Sequence, residues 1–340
     1  MKLLAICDPS RYSSPPLDVP TFYQKAALHP AIDFFHIPVK NVLAQNRYSN
    51  TIQVAPAVGD LNYADFLALG DNAHESHDLS TFDLIFCRTL KPFPQNYLSQ
   101  LQRWEQYTPF LNSPTGIEAQ IEPDFLSQAA SAFTPHMLVT QHWTKALVFF
   151  ERHQTIVAKR FNSCGGRGVF KIWYENHRFK VDNFILGLRE FSDFSKMFIY
   201  LQGATNKPLQ FVRYLTHVAA GDKRVVVVNG EIYGAYVRRS KSGHWINNVS
   251  HDGECFLSEV TEAEREAIVG TVEHYRRRGL ITLGYDFLQD EDGTWRISEI
   301  NAGNIGGFAR LELLTGEPVM ERFLNTLVEL AKAIRRPAVV

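Results

Sequence analysis

One stretch constrains this chain more than any other. From Ile281 to Asn301 the sequence reads ITLGYDFLQDEDGTWRISEIN, two alternating runs around Asp292-Gly293. Alternation with period two marks strands with one buried face, and Asp-Gly between two such runs is the strongest short signal for an antiparallel hairpin. A two-residue loop at Asp292-Gly293 fixes the register and sets Asp286 directly opposite Glu299. Facing carboxylates are mutually unfavourable, so the pair requires a raised pKa, a basic neighbour or a bound cation. Asn301 shares the face of Glu299. Asp286, Glu299 and Asn301 therefore offer hard oxygen atoms in one place, a set suited to Mg²⁺ rather than to zinc, which favours nitrogen and sulfur. The plain alternative is a solvated edge hairpin whose charges only keep it soluble, and a longer turn would alter the register.

The remainder reads as α/β with α+β elements. Short apolar strands at Lys2 to Cys7 and Phe82 to Cys87, with a helix over 94–110, describe an N-terminal α/β unit covering 1–117. A central unit over 118–212 begins with a segment that looks helical at both ends and is broken at Thr134-Pro135. It continues with strands at Ile156 to Lys159 and Val169 to Trp173 around the loop Asn162 to Gly168. The C-terminal unit, 213–340, carries the run Arg224 to Val237, a helix over 261–278 opened by a capping box at Thr261 and Glu264, the hairpin above, and a closing helix over 318–334. Thirty-five basic against 36 acidic residues leave no global attraction for nucleic acid or an anionic membrane. Cys7, Cys87, Cys164 and Cys255 lie too far apart for a zinc cluster or a disulfide framework, and the apolar run at the start is too short for a signal peptide, so a cytoplasmic location is expected.

Two further groups of residues can carry chemistry. Lys159 precedes Ser163-Cys-Gly-Gly-Arg-Gly168. Glycines let main-chain N–H groups approach phosphate oxygens closely, and a lysine adds a point charge against the same anion. A purely structural hairpin explains the same residues, and neither a Walker A sequence nor a dinucleotide fingerprint is present. Gly221-Asp-Lys-Arg224 stands ahead of four valines. Charges beside a buried strand must be paired or serve a ligand; Asp222 suits hydroxyl groups, and Lys223 and Arg224 suit anions. Arg238 and Arg239 end the next strand, one toward a cleft and the other toward solvent.

Taken in order, Lys159, the glycine loop, Gly221-Asp-Lys-Arg224, Asp286 and Glu299-Ile-Asn301 resemble the ATP-grasp ligases, and within them the bacterial glutathione synthetase branch. The likeness runs from Asp8-Pro9 through Asp83 to Arg88 and Asn112-Ser-Pro114, and is clearest from Thr134-Pro135 to Asn301. It implies an ATP-grasp fold with an N-terminal α/β domain and a glycine-rich lid. It also implies that Lys159 contacts the ATP phosphates under a lid of Ser163, Gly165, Gly166 and Gly168. Arg213, Tyr214 and Leu215 would line the adenine, Asp222 and Arg224 would lie at the nucleotide, and Asp286, Glu299 and Asn301 would hold Mg²⁺, or Mn²⁺ in its place. Arg239 would face the reacting carboxylate, main-chain amides around Gly306 would assist at the acyl oxygens, and Arg88 would lie on the substrate side. The implied reaction joins a small-molecule or peptide carboxylate to an amine or amino acid through an acyl phosphate. The sequence departs from the family pattern where Asp124 replaces its first ATP lysine, where Ile246 replaces an arginine, and in the loop Ala302 to Gly307. These departures leave open a nucleotide-binding regulatory or assembly protein without ligase activity. They leave open as well the substrates and whether the chain forms a homo-oligomer.

Overall fold

The computed structural model describes residues 1–13, 17–46, 48–71, 74–161, 167–203, 207–241, 245 and 253–335, and it contains three β-sheets. The first holds β1 (Lys2–Ile6), β2 (Asp33–Ile37), β3 (Thr51–Pro56), β4 (Glu75–Asp78), β5 (Leu84–Cys87) and β6 (Phe110–Leu111), in the order β4-β3-β2-β1-β5-β6. β1 runs parallel to β2 on one side and β5 on the other, which explains why both β1 and β5 read as continuous apolar runs. The divergence of connections at β1 makes the carboxyl ends of β1 and β5 a topological switch point, the usual place for a ligand. Asp8 and Arg88 follow those ends.

The second sheet holds β7 (Met137–Thr140), β8 (Ile156–Arg160), β9 (Val169–Glu175), β10 (Arg178–Asn183), β11 (Gly187–Phe191) and β12 (Leu209–Arg213), in the order β11-β10-β9-β8-β12-β7. Helices Trp143–His153 and Phe194–Gln202 cover one face through Phe149, Phe150, Met197, Phe198 and Leu201. β8 and β9 form the expected hairpin, and the Arg160 N–H donates to the Gly168 carbonyl at 2.8 Å. Ser163, Gly165 and Gly166, at its tip, lie outside the described residues. Sequence reading overlooked β7, which begins two residues after Pro135, a residue whose ring biases its predecessor to extended backbone. The helix expected over 94–110 is confined to Tyr97–Glu105.

The third sheet holds β13 (Asp222–Val228), β14 (Glu231–Ser240), β15 (Gly253–Ser258), β16 (Thr282–Gln289) and β17 (Trp295–Asn301), in the order β15-β14-β13-β16-β17. Helix Glu262–Arg276 starts with the complete capping box that Thr261 and Glu264 foretell. On one face Val225, Val227, Tyr285, Phe287 and Ile300 share a core with Ala267 and Ile268, and with Ile117, Phe125 and Ala130. Helices Pro114–Ile121 and Phe125–Ala130 therefore pack with the third sheet, although a boundary at 117/118 assigns the second of them to the central unit. The opposite face contributes Val226, Val228 and Tyr236 to the core of the first sheet, where Met320, Phe323, Leu324 and Leu327 of helix Val319–Arg335 also lie. Among the described residues, no helix is long and apolar enough to cross a membrane.

The β16–β17 hairpin has a longer turn than the two-residue loop anticipated. Its last pair is Gln289 with Trp295, and the Asp290 N–H donates to the Thr294 carbonyl at 2.9 Å. The wider turn displaces the register by one residue. A bulge at Ser298 displaces it back, since Phe287 pairs with Ile297 whereas Asp286 pairs with Glu299. The two carboxylates do face each other, by a route that the turn alone does not provide.

Candidate active site

Strand alternation sorts the charges of β13 onto two faces. Asp222 and Arg224 point to the face shared with Asp286, while Lys223 points to the other, where its ammonium lies 2.8 Å from Glu264 and 4.5 Å from the centroid of the Trp295 ring. Lys223 is 3 % exposed and Glu264 fully buried, so the anion contact that the sequence suggested for Lys223 is replaced by an internal ion pair.

On the site face, Arg224 grips Asp286 with two hydrogen bonds, Nε to Oδ1 at 2.5 Å and Nη2 to Oδ2 at 2.9 Å. Such a forked, charge-assisted contact is the strong form of the Arg–carboxylate pair. Gly284 makes room for it: a Cβ there would meet the Arg224 guanidinium at 3.0 Å. Arg238 Nη2 bridges Asp222 at 2.6 Å and Asp286 at 2.9 Å. Asn301 Nδ2 donates to Asp286 Oδ2 at 3.0 Å. The result is a largely buried chain of alternating charges, Asp222–Arg238–Asp286–Arg224. Burial works to raise the pKa of Asp286, but Arg224 and Arg238 outweigh it and hold the carboxyl below its ordinary value. Asp222, buried and close to Asp286, is pushed up to about 6 despite its contact with Arg238.

Arg239, expected at the reacting carboxylate, lies elsewhere. It is exposed, donates to the Ala220 carbonyl at 3.1 Å and lies over the Phe256 ring. The cause is local. After the Asn229-Gly230 turn, Val228 pairs with Glu231 and Val227 with Ile232, and uninterrupted pairing would place Arg239 on the face of Asp222. A bulge at Tyr233 advances the strand by one, so that Asp222 pairs with Arg238 instead.

The second sheet meets this face through Lys159, whose Nζ donates to the Ser298 carbonyl at 3.0 Å. Lys159 is thereby placed at the bulged residue immediately before Glu299. Glu299 is exposed, and Asn301 retains an Oδ1 acceptor, because its Nδ2 serves Asp286. The Glu299 carboxylate and the Asn301 amide oxygen are open hard donors of the kind that suits Mg²⁺, whereas both oxygens of Asp286 are already taken, each by two hydrogen bonds from Arg224, Arg238 and Asn301. Among the described residues, no three His, Cys, Asp or Glu side chains converge as a metal cluster. At the far end of the cleft Arg213 is paired with Asp290, Tyr214 is partly buried and Leu215 is buried. A cleft of about 400 Å³ opens there, lined by Arg152, His153, Thr155, Lys171, Arg213, Tyr214, Thr216 and Glu291.

The loop 302–307 closes the other end and is tied to every neighbour. Arg88, 2 % exposed, donates to the Ile305 carbonyl at 2.8 Å. Arg224 donates to the Gly306 carbonyl at 3.1 Å, and Asn112 Nδ2 binds the Ala302 carbonyl. The Gly307 and Ala309 amides are taken by Asp18 at 2.8 and 3.0 Å. Amide donation from this loop is therefore already spent at Gly307. Asp18 carried no signal in the sequence, and alternation alone did not decide between Arg238 and Arg239.

The family model for the prokaryotic glutathione synthetase ATP-grasp domain matches residues 125–316, more than half of the chain. The glutathione synthetase of Mesorhizobium japonicum is 27% identical over 253 residues, 74% of each chain. That of Brucella melitensis is 28% identical over 266 residues, 77% of this chain and 78% of the relative. Among solved structures, D-cycloserine synthetase DcsG superposes with a TM-score of 0.64 at 12% identity, covering 97% of this chain and 99% of that one. ATP-grasp ligase PsnB, complexed with minimal precursor, Mg and ADP, gives 0.59 at 15% identity, covering 97% and 98%. With the lysine, the carboxylates and the three sheets in these positions, the chain belongs to the prokaryotic glutathione synthetase ATP-grasp family and is an ADP-forming carbon–nitrogen ligase working with ATP.

Proposed function

We propose that this ligase joins a small-molecule or peptide carboxylate to an amine or amino acid, in the cytoplasm, at the cleft between the second and third sheets. The observation that carries the reading is the Lys159 contact with Ser298, which sets a phosphate-binding cation from one sheet beside Glu299 of the other. Lys159 and the β8–β9 loop with Ser163, Gly165, Gly166 and Gly168 bind the phosphates, and Arg213, Tyr214 and Leu215 border the base. Glu299 and Asn301 hold Mg²⁺, joined by Asp286 once one hydrogen bond from Arg224, Arg238 or Asn301 gives way; Arg224 and Arg238 fix the orientation of that carboxylate. Bound there, Mg²⁺ screens the phosphate charge.

The substrate carboxylate attacks the γ-phosphorus with loss of ADP; the amine then attacks the acyl carbon, expels phosphate and gives up a proton. Arg238, on the site face, rather than Arg239 stabilises charge on the acyl oxygens, and the loop around Gly306 borders them. Arg88 orients the acid from the first sheet. Closure of the glycine loop excludes water from the acyl phosphate. Incubation with ATP and panels of acids and amines, following ADP release and product mass, tests the reading. The expected result is ADP formation that depends on both partners, with a condensed product; ADP formation indifferent to every acid and amine would refute it.

A further inference from the structure

The cations that face this cleft are not equally available to a polyanion. Arg224 and Arg238 are held by Asp286 and Asp222, and Arg213 and Arg296 share Asp290. Among the described residues, Lys159 meets only a main-chain carbonyl. Lys171 on β9 has no ion pair among the described residues. Its Nζ lies 4.0 Å from the centroid of the Tyr214 ring, at the connection that follows β12.

Register places Lys171 on the working face. Lys159 is opposite Val169 and Val157 is opposite Lys171, so both lysines share one side of the sheet, about 7 Å apart along the strand direction. Lys159 lies toward the glycine loop, whereas Lys171 lies toward the hinge and lines the 400 Å³ cleft with Thr155, Tyr214 and Glu291. Asp182, opposite Lys171 on β10, accepts a hydrogen bond from Trp245 Nε1. A cation resting on an aromatic face is weakly held compared with one in a charge-assisted hydrogen bond to phosphate. Burial also lowers the pKa of Lys171, opposed only in part by the Asp182 carboxylate, and a phosphate in the cleft would oppose it further.

We infer that Lys171 is a second nucleotide-binding cation, engaging the polyphosphate on the hinge side of Lys159. The inference rests on the ligase reading above. It adds a residue that the resemblance did not assign, and offers a source for the positive charge absent at Asp124.

The test is isothermal titration of the full chain with Mg·ADP. Lys171→Met is expected to raise Kd about tenfold or more with the melting temperature of the free protein unchanged, and Lys171→Arg to return Kd to within about threefold of the wild type. If Lys171→Met lowers the melting temperature, Lys171→Gln is titrated in its place with the same expectation. A neutral variant that binds Mg·ADP within twofold of the wild type overturns the inference, and so does failure of Lys171→Arg to restore binding. A wild-type chain that does not bind Mg·ADP at all overturns the nucleotide reading itself, which is a separate and recognisable outcome.

Discussion

Replacing Lys223 by methionine separates folding from chemistry at neighbouring positions of β13. Lys223 is 3 % exposed, Glu264 is fully buried, and their charged atoms are 2.8 Å apart. Methionine fills most of the volume but leaves the Glu264 carboxylate without its cation. Breaking one side of a buried pair costs about 3–5 kcal/mol, because the remaining charge is left uncompensated. With a urea m-value of about 3 kcal/mol/M, the unfolding midpoint should fall by roughly 1–1.7 M. Trp295 is the natural reporter, since the Lys223 ammonium lies over its ring. The double change Lys223→Met with Glu264→Gln removes both charges and should recover most of the loss. Mg·ADP affinity, measured below the transition, should stay near the wild-type value, whereas Arg224→Met, one residue along on the other face, should abolish it. An unshifted midpoint in Lys223→Met, or a loss of nucleotide affinity in the folded variant, would show that β13 does not divide its charges between structure and site as described.

Three other outcomes are expected. Arg238→Met should reduce substrate-dependent ADP formation at least a hundredfold, while Arg239→Ala stays within about threefold; the reverse order would reinstate Arg239. Burial raises the pKa of Asp222 to about 6, so the folded state holds this proton more tightly than the unfolded chain does. Stability from this group is thus greatest below about pH 4 and is lost as pH rises through about 6; thermal unfolding of Asp222→Asn across that window should show a flatter profile, and an unchanged slope would contradict the assignment. Glu299→Gln and Asn301→Ala should each raise the Mg²⁺ concentration needed for half-maximal ADP binding about tenfold or more, and identical Mg²⁺ curves would place the metal elsewhere.

Two bulges mark the limit of what could be read from the amino-acid order. Period-two alternation and the Asp292-Gly293 signal gave Asp286 opposite Glu299, yet that pairing survives only because the extra residue at Ser298 offsets a turn wider than two residues. In β14 a single bulge at Tyr233 had no such compensation, and the arginine that reaches the site changed from 239 to 238. Bulges depend on contacts made from other elements, which local alternation does not contain. The same holds for β7 and for Asp18, whose partners lie in distant sequence. What was legible rested on local rules: the capping box at Thr261 and Glu264, the apolar runs of β1 and β5, and the hairpin flanking the glycine loop.

The docking of helix Val319–Arg335 against helix Asp18–Leu28 and the Phe86 ring of β5 has a consequence for biogenesis. The Phe22 and Phe86 rings of the first unit to leave the ribosome lack their Phe323 partner until the C-terminal helix has been made, more than two hundred residues later. At about 5–20 residues per second, that nascent surface waits on the order of tens of seconds. A ribosome stalled short of this helix would therefore display an open apolar flank, a natural target for co-translational chaperones.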